Sequence, residues 1–177
     1  MERLQKKFRV TFRPRQRYDN RVKSFAEFYS ETRERLYAYL VRMGGDPELA
    51  RDILQESFAK YLERYGRKTF SAPLLYTIAR NAYFDIIRKR RQTAFVATDK
   101  DLPGPDPEGR LMVREDYRRM LDAFQMLKQS EREILSLVVS SDLGYRAVGE
   151  IVGTSESNVK VKVHRARLKL RAILKED

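Results

Sequence analysis

With 177 residues, 37 Lys and Arg against 25 Asp and Glu, and a formal net charge of +12, the chain has room for one ordinary domain or two small ones and the charge balance of a polyanion binder. It has no cysteine and a single histidine, His164, which excludes a disulfide scaffold, a thiolate zinc site and a cysteine nucleophile. No apolar run approaches the roughly 20 residues of a membrane span, and charges interrupt the N-terminus before any signal-like core can form, so a cytoplasmic protein with no membrane insertion is expected.

The charge is concentrated. Residues 1–24 carry nine bases and two acids, residues 86–91 (IIRKRR) four bases and no acid, and residues 160–171 six bases and no acid. The remainder is slightly acidic. Three separate basic blocks on such a body point to several contacts along a nucleic acid.

In chain order, residues 1–23 read as a basic arm. The segment SFAEFYSETRERLYAYLVRM places Phe25, Phe28, Tyr29, Leu36, Tyr39, Leu40 and Met43 at helical spacing, and Gly44-Gly45 ends that helix. Asp46-Pro47-Glu48 supplies a cap, a first-turn proline and an acid at the positive helix end. Ala50, Ile53, Leu54, Ser57, Phe58, Tyr61, Leu62 and Tyr65 then form a two-column stripe on a second helix that ends near Gly66. After the loop GRKTFSAP, a third helix starts around Ala72-Pro73, with Arg80, Asn81, Asp85 and Arg88 on its polar side.

Residues 93–110 hold Pro103, Pro105 and Pro107 beside Gly104 and Gly109 and read as an extended linker. Beyond it comes a helix on Val113, Tyr117, Met120, Leu121, Phe124 and Leu127. Ser130 and Glu133 have capping-box spacing before the apolar run Ile134–Val138. A short helix over 145–152 ends at Gly153. Thr154 or Ser155 caps a last helix whose stripe is Val159, Val163, Ala166, Leu170 and Ile173. Nothing reads as a strand. The predicted fold is all-α: two small helical domains, 24–92 and 111–177, joined by the linker 93–110.

The short helix, glycine turn and long basic helix match a helix-turn-helix. Ser155, Ser157 and Asn158 allow the helix start to approach DNA closely, and Lys160, Lys162 and Arg165 follow on the groove side. His164 has cationic neighbours and no carboxylate to orient it, so a packing or groove contact is expected and catalysis is not. In the first half, the loop Lys68–Ser71 with Phe70, followed by Tyr76, Arg80 and Asn81, has the aromatic, cationic and amide groups that hold unstacked bases. Phe70 has an equally good reading as a core cap, and Asn81 with Asp85 as a surface pair. No catalytic residue, cofactor or metal is predicted, and the chain does not read as an enzyme.

Residues 24–175 resemble the extracytoplasmic-function (group IV) sigma factors of bacterial RNA polymerase. DPELARDILQESFAKYLERY is similar to region 2 of that family. Ala79-Arg80-Asn81, Asp85 and Arg88 match its next segment, and the run of residues 159–167 matches region 4. The resemblance implies a promoter-specificity factor that binds core polymerase, recognises the −10 and −35 elements and helps open DNA. Asp52, Gln55, Glu56 and Phe58 match the patch that docks on the clamp helices of the largest subunit. Residues 66–88 would capture a flipped base of the −10 element, through Lys68, Phe70, Ser71, Tyr76, Arg80, Asn81, Asp85 and Arg88. The last helix would read the −35 element through Ser155, Ser157, Asn158, Lys160, Val161, Lys162, His164 and Arg165, with Lys160, Asn158 and Val161 deepest. The flap of the second-largest subunit and an anti-sigma factor are the other implied partners, and the linker would run through the polymerase toward the RNA exit path.

Three features depart from the family pattern. Val161 stands where a small polar residue is usual, and suits a thymine methyl. Gly149 stands for alanine, which is expected to loosen the first helix of the helix-turn-helix. There is no tryptophan near Leu74. The competing readings are a helix-turn-helix regulator not tied to polymerase, which needs a sensor domain in place of the first half, and an RNA-binding interaction protein that uses the basic arm.

Overall fold

The computed structural model describes residues 24–67, 70–96 and 115–176. Among them are seven helices and no strand: α1 (Phe25–Gly44), α2 (Pro47–Tyr65), α3 (Ala72–Val96), α4 (Glu115–Gln125), α5 (Gln129–Ser140), α6 (Tyr145–Val152) and α7 (Glu156–Glu176). Local chemistry sets the ends. The Ser24 hydroxyl accepts the Glu27 N–H while the Glu27 carboxylate accepts the Ser24 N–H, both at 3.2 Å, a reciprocal cap. Gly45 closes α1 in the left-handed region at φ 71°. Asp46 Oδ1 then accepts the Leu49 N–H at 3.0 Å, with Pro47 in the first helical position.

Two elements differ from expectation. Helix α3 runs to Val96, so Thr93–Val96 belong to it and not to the linker. The helix-breaking prolines lie farther along, and nothing in Thr93-Ala94-Phe95-Val96 forbids another turn. The rest of the expected linker, the arm 1–23 and Val113 lie outside the described residues. Ser130 does not cap α5. Lys128 occupies the cap position without a side-chain bond, Ser130 is already inside the first turn, and Glu133 is engaged elsewhere, with Arg80.

In the first half α1 packs on α2 and α2 on α3. Leu36, Leu40, Met43, Ile53, Tyr61 and Leu75 are fully buried between them. Each such side chain contributes about 1.5–3 kcal/mol of burial. Aromatic contacts close one end: the Phe28 ring lies 5.4 Å from Tyr61 and 5.7 Å from Phe70, centroid to centroid. In the second half α5 is central. Its Ile134, Leu135, Leu137 and Val138 are buried with Phe124 of α4, Val148 of α6, and Val159, Val163 and Ala166 of α7.

The two halves also pack on each other, α1 against α4 and α5, and α3 against α6. This junction is rich in polar contacts. Arg42 Nη1 donates to Ser140 Oγ at 2.7 Å, Gln125 Nε2 donates to the Arg42 carbonyl at 3.0 Å, and Arg132 Nη1 donates to Gln125 Oε1 at 2.6 Å. Ion pairs join Arg80 to Glu133 and Arg35 to Asp142. Desolvation lowers the pKa of Arg42 and Arg132 from the usual guanidinium value. The Tyr39 phenol is pushed well up, first by burial and then by the Glu133 carboxylate, and stays protonated.

Candidate nucleic-acid interface

Three surfaces carry the residues singled out in the sequence. The first is the outer side of α2, where Asp52, Gln55 and Glu56 are exposed within about one turn. Glu56 pairs with Lys60 at 2.5 Å, an exposed contact of small energetic weight. Phe58 is not on this surface. It is 4% exposed, edge-on to Phe25 and 4.7 Å from the Tyr29 ring, because its column of α2 faces α1. It supports the strip from beneath.

The second surface lies along α2 and α3. Lys60, Glu63 and Arg64 of α2 face Ile78, Asn81 and Asp85 of α3 across an open groove. Asn81 is exposed, and Asp85 pairs with exposed Arg88 at 2.8 Å. The Ser71 N–H donates to Tyr61 Oη at 2.7 Å, which ties the loop before α3 to α2. Phe70 is half-buried against Phe28, so the core-cap reading describes its packing. Lys68 lies outside the described residues. Tyr76, expected beside this surface, is 1% exposed and packs on Tyr39 in the core. Arg80 is turned to the junction: its guanidinium pairs with Glu133 and lies 4.9 Å from the Phe84 ring centroid. Spacing placed Arg80 and Asn81 on one polar side; about 100° of helix rotation separates them onto different surroundings. Lys60 and Arg64 were not singled out in the sequence. Their position one and two turns beyond Glu56 on the exposed side of α2 was the available signal.

The third surface is the helix-turn-helix. Gly153 turns the chain in the left-handed region at φ 71°. Ser155 caps α7: its Oγ accepts the Asn158 N–H at 3.2 Å, while Asn158 Nδ2 donates to Thr154 Oγ1 at 2.7 Å. Ser155, Ser157, Asn158, Lys160, Val161, His164 and Arg165 are exposed and Lys162 is partly so. Lys160 Nζ sits 2.7 Å from Glu156 Oε1. Lys169 Nζ reaches Glu131 on α5 at 2.5 Å and so fastens α7 to its own domain.

Gly149 does not loosen this motif. A Cβ there would stand 2.5 Å from the Thr154 carbonyl oxygen, so the missing side chain lets the turn close over α6. Gly149→Val is therefore expected to pry α6 from the turn, costing about 1–3 kcal/mol or more. The measurement is thermal unfolding beside −35 duplex affinity. Unchanged melting would remove the close-approach argument.

Among the described residues no cluster of His, Cys, Asp and Glu could hold a metal ion, and no helix is long and apolar enough to cross a membrane. Comparison with known proteins matches residues 28–93 to Sigma-70 region 2 and residues 117–170 to Sigma-70, region 4. The chain is 31% identical to the ECF RNA polymerase sigma factor EcfG of Rhodopseudomonas palustris, with 80% of each chain covered. It is 30% identical to the RNA polymerase sigma factor CarQ of Myxococcus xanthus, covering 89% of this chain and 93% of that one. The chain belongs to the extracytoplasmic-function sigma factors. As a sigma factor it binds RNA polymerase and recognises promoter elements. The fold agrees: the sigma factor RpoE of Bartonella quintana, solved in complex with the anti-sigma factor NepR, superposes with a TM-score of 0.66 at 24% identity, covering 86% of this chain and 98% of that one. Matches to both regions in their expected order displace the reading as a helix-turn-helix regulator with an unrelated first half.

Proposed function

We propose that the three surfaces divide the work of initiation between them. The exposed acidic strip Asp52, Gln55 and Glu56 docks on the clamp helices of the polymerase largest subunit. The groove between α2 and α3, with Phe70, Ser71, Asn81, Asp85 and Arg88, takes the unpaired non-template strand of the −10 element and helps hold the duplex open. The exposed face of α7 reads the −35 element, while region 4 meets the flap of the second-largest subunit. An anti-sigma factor is a further partner, as it is for the Bartonella protein. Acting on polymerase and promoter DNA, the protein works in the cytoplasm. The proposed domains are 24–96 and 111–177, the first extended by the last turn of α3.

The observation that carries this reading is electrostatic. The strip on α2 presents exposed acids, whereas α7 presents six bases and no acid over residues 160–171. A basic protein patch and a polyanion are the respective complements. Transcription from a promoter library by core polymerase, with and without the chain, tests it. Enrichment of one −10 and −35 pair only when the chain is present is the expected result, and no enrichment rejects it.

Asn81→Ala provides a narrower test of the −10 assignment. Asn81 is exposed, so its loss should lower open-complex formation while closed-complex affinity stays near wild type. Equal loss in both assays would reject a single-strand contact.

A further inference from the structure

The stripe Val159, Val163 and Ala166 is buried, and this fixes which way α7 faces the solvent. At about 100° per residue, the direction opposite that stripe is taken by Ser157, Val161, His164 and Leu168. No lysine or arginine through Leu168 points that way. Lys160 and Arg167 turn to one flank, and Lys162, Arg165 and Lys169 to the other, each roughly 60–120° from the buried direction. Val161 and Leu168 are 46% and 51% exposed and share that line with the polar Ser157 and His164. The helix therefore presents a ridge without lysine or arginine, apolar at Val161 and Leu168, between two cationic flanks.

A DNA major groove is the complement of that cross-section. Its walls are phosphates, and the one apolar group on its floor is the C5-methyl of thymine. We propose that Val161 is the specificity-determining residue of −35 recognition, reading a thymine methyl at the groove centre while Lys160 serves a groove wall. The inference rests on the assignment of α7 to the −35 element. Val161 lies in the second turn of α7, where helix-turn-helix proteins reach deepest. Leu168 continues the ridge about 10 Å farther along, beyond that depth. Glu156 agrees with the same division: it lies on the Lys160 flank, and its carboxylate meets the Lys160 ammonium there at 2.7 Å. This moves Lys160 from the base edges, where sequence reasoning put it, to the phosphates.

The test replaces thymine by deoxyuridine, which removes the methyl and leaves every hydrogen-bonding group in place. Closed-complex affinity is measured with core polymerase and the full chain on the selected −35 duplex, one thymine exchanged at a time. For the wild type, one exchange should weaken binding about fourfold, the worth of burying one methyl group. Val161→Ala should weaken binding to the thymine duplex by a similar factor and make no distinction between thymine and deoxyuridine. Lys160→Ala should weaken binding to every duplex and keep the deoxyuridine penalty, and Leu168→Ala should also keep it. A wild type that selects a −35 sequence yet ignores every exchange overturns the proposal, as does a penalty that survives in Val161→Ala. If no −35 sequence is selected at all, the assignment of α7 fails, and with it the proposal.

Discussion

Asp52→Lys combined with Glu56→Lys is expected to abolish co-purification with core polymerase and leave the helical fold intact. Both side chains are exposed on α2, and neither takes part in the core beneath. Lysine is as good a helix former as either acid, so local helicity changes little. The pair Glu56–Lys60 is lost, but exposed pairs of this kind contribute about 0.3–0.5 kcal/mol. Against a basic partner patch the substitution converts two attractions into two repulsions. Like charges brought together at an interface cost several kcal/mol and also slow encounter. The measurement pairs a pull-down with thermal unfolding. Undiminished binding by a folded double variant rejects the docking assignment. A single reversal at Asp52 should give an intermediate loss that salt partly relieves, since exposed charges are screened over about 10 Å at 0.1 M.

The class of fold was legible because its signals are local. Glycine stops, a proline in the first turn, Ser and Asp caps and apolar stripes act within a few residues, and helix ends from Gly45 to Gly153 lie where those signals put them. The motifs of regions 2 and 4 were legible for the same reason, being contiguous. What was not legible depends on contacts between distant segments. Phe58 stood both in the apolar stripe and in the docking patch implied by the resemblance, and the structure sides with the stripe; Tyr76 looked like a partner for bases, and only the placement of α1 shows that its ring is covered. Gly149 looked like a weak point because helix propensity is local, whereas the Thr154 carbonyl that fills the space is brought there by the turn. Glu133 looked like half of a capping box. Its real partner lies 53 residues away on α3, a distance no local pattern bridges.

That last pair gives the second large expectation. The Glu133 side chain is 9% exposed and that of Arg80 is 25% exposed. Arg80→Ala leaves a nearly buried carboxylate without its counter-charge beside Tyr39, and it also removes the guanidinium from the Phe84 ring. Breaking a buried pair from one side costs about 3–5 kcal/mol. Arg80 retains some solvent access, so about 2–3 kcal/mol is expected, read as a lowered melting temperature. Glu133→Ala should cost less, because the stranded cation can still lie over Phe84 and reach water. Replacing both, as Arg80→Met with Glu133→Leu, removes the two charges together and should restore most of the stability. The double variant separates the two roles of Arg80. If Arg80 serves the junction alone, transcription recovers together with the melting temperature. If it also exchanges Glu133 for DNA of the −10 element during initiation, stability recovers and open-complex formation does not. The first outcome is expected, because the Arg80 guanidinium lies between Glu133 and the Phe84 ring at the junction and not in the groove between α2 and α3.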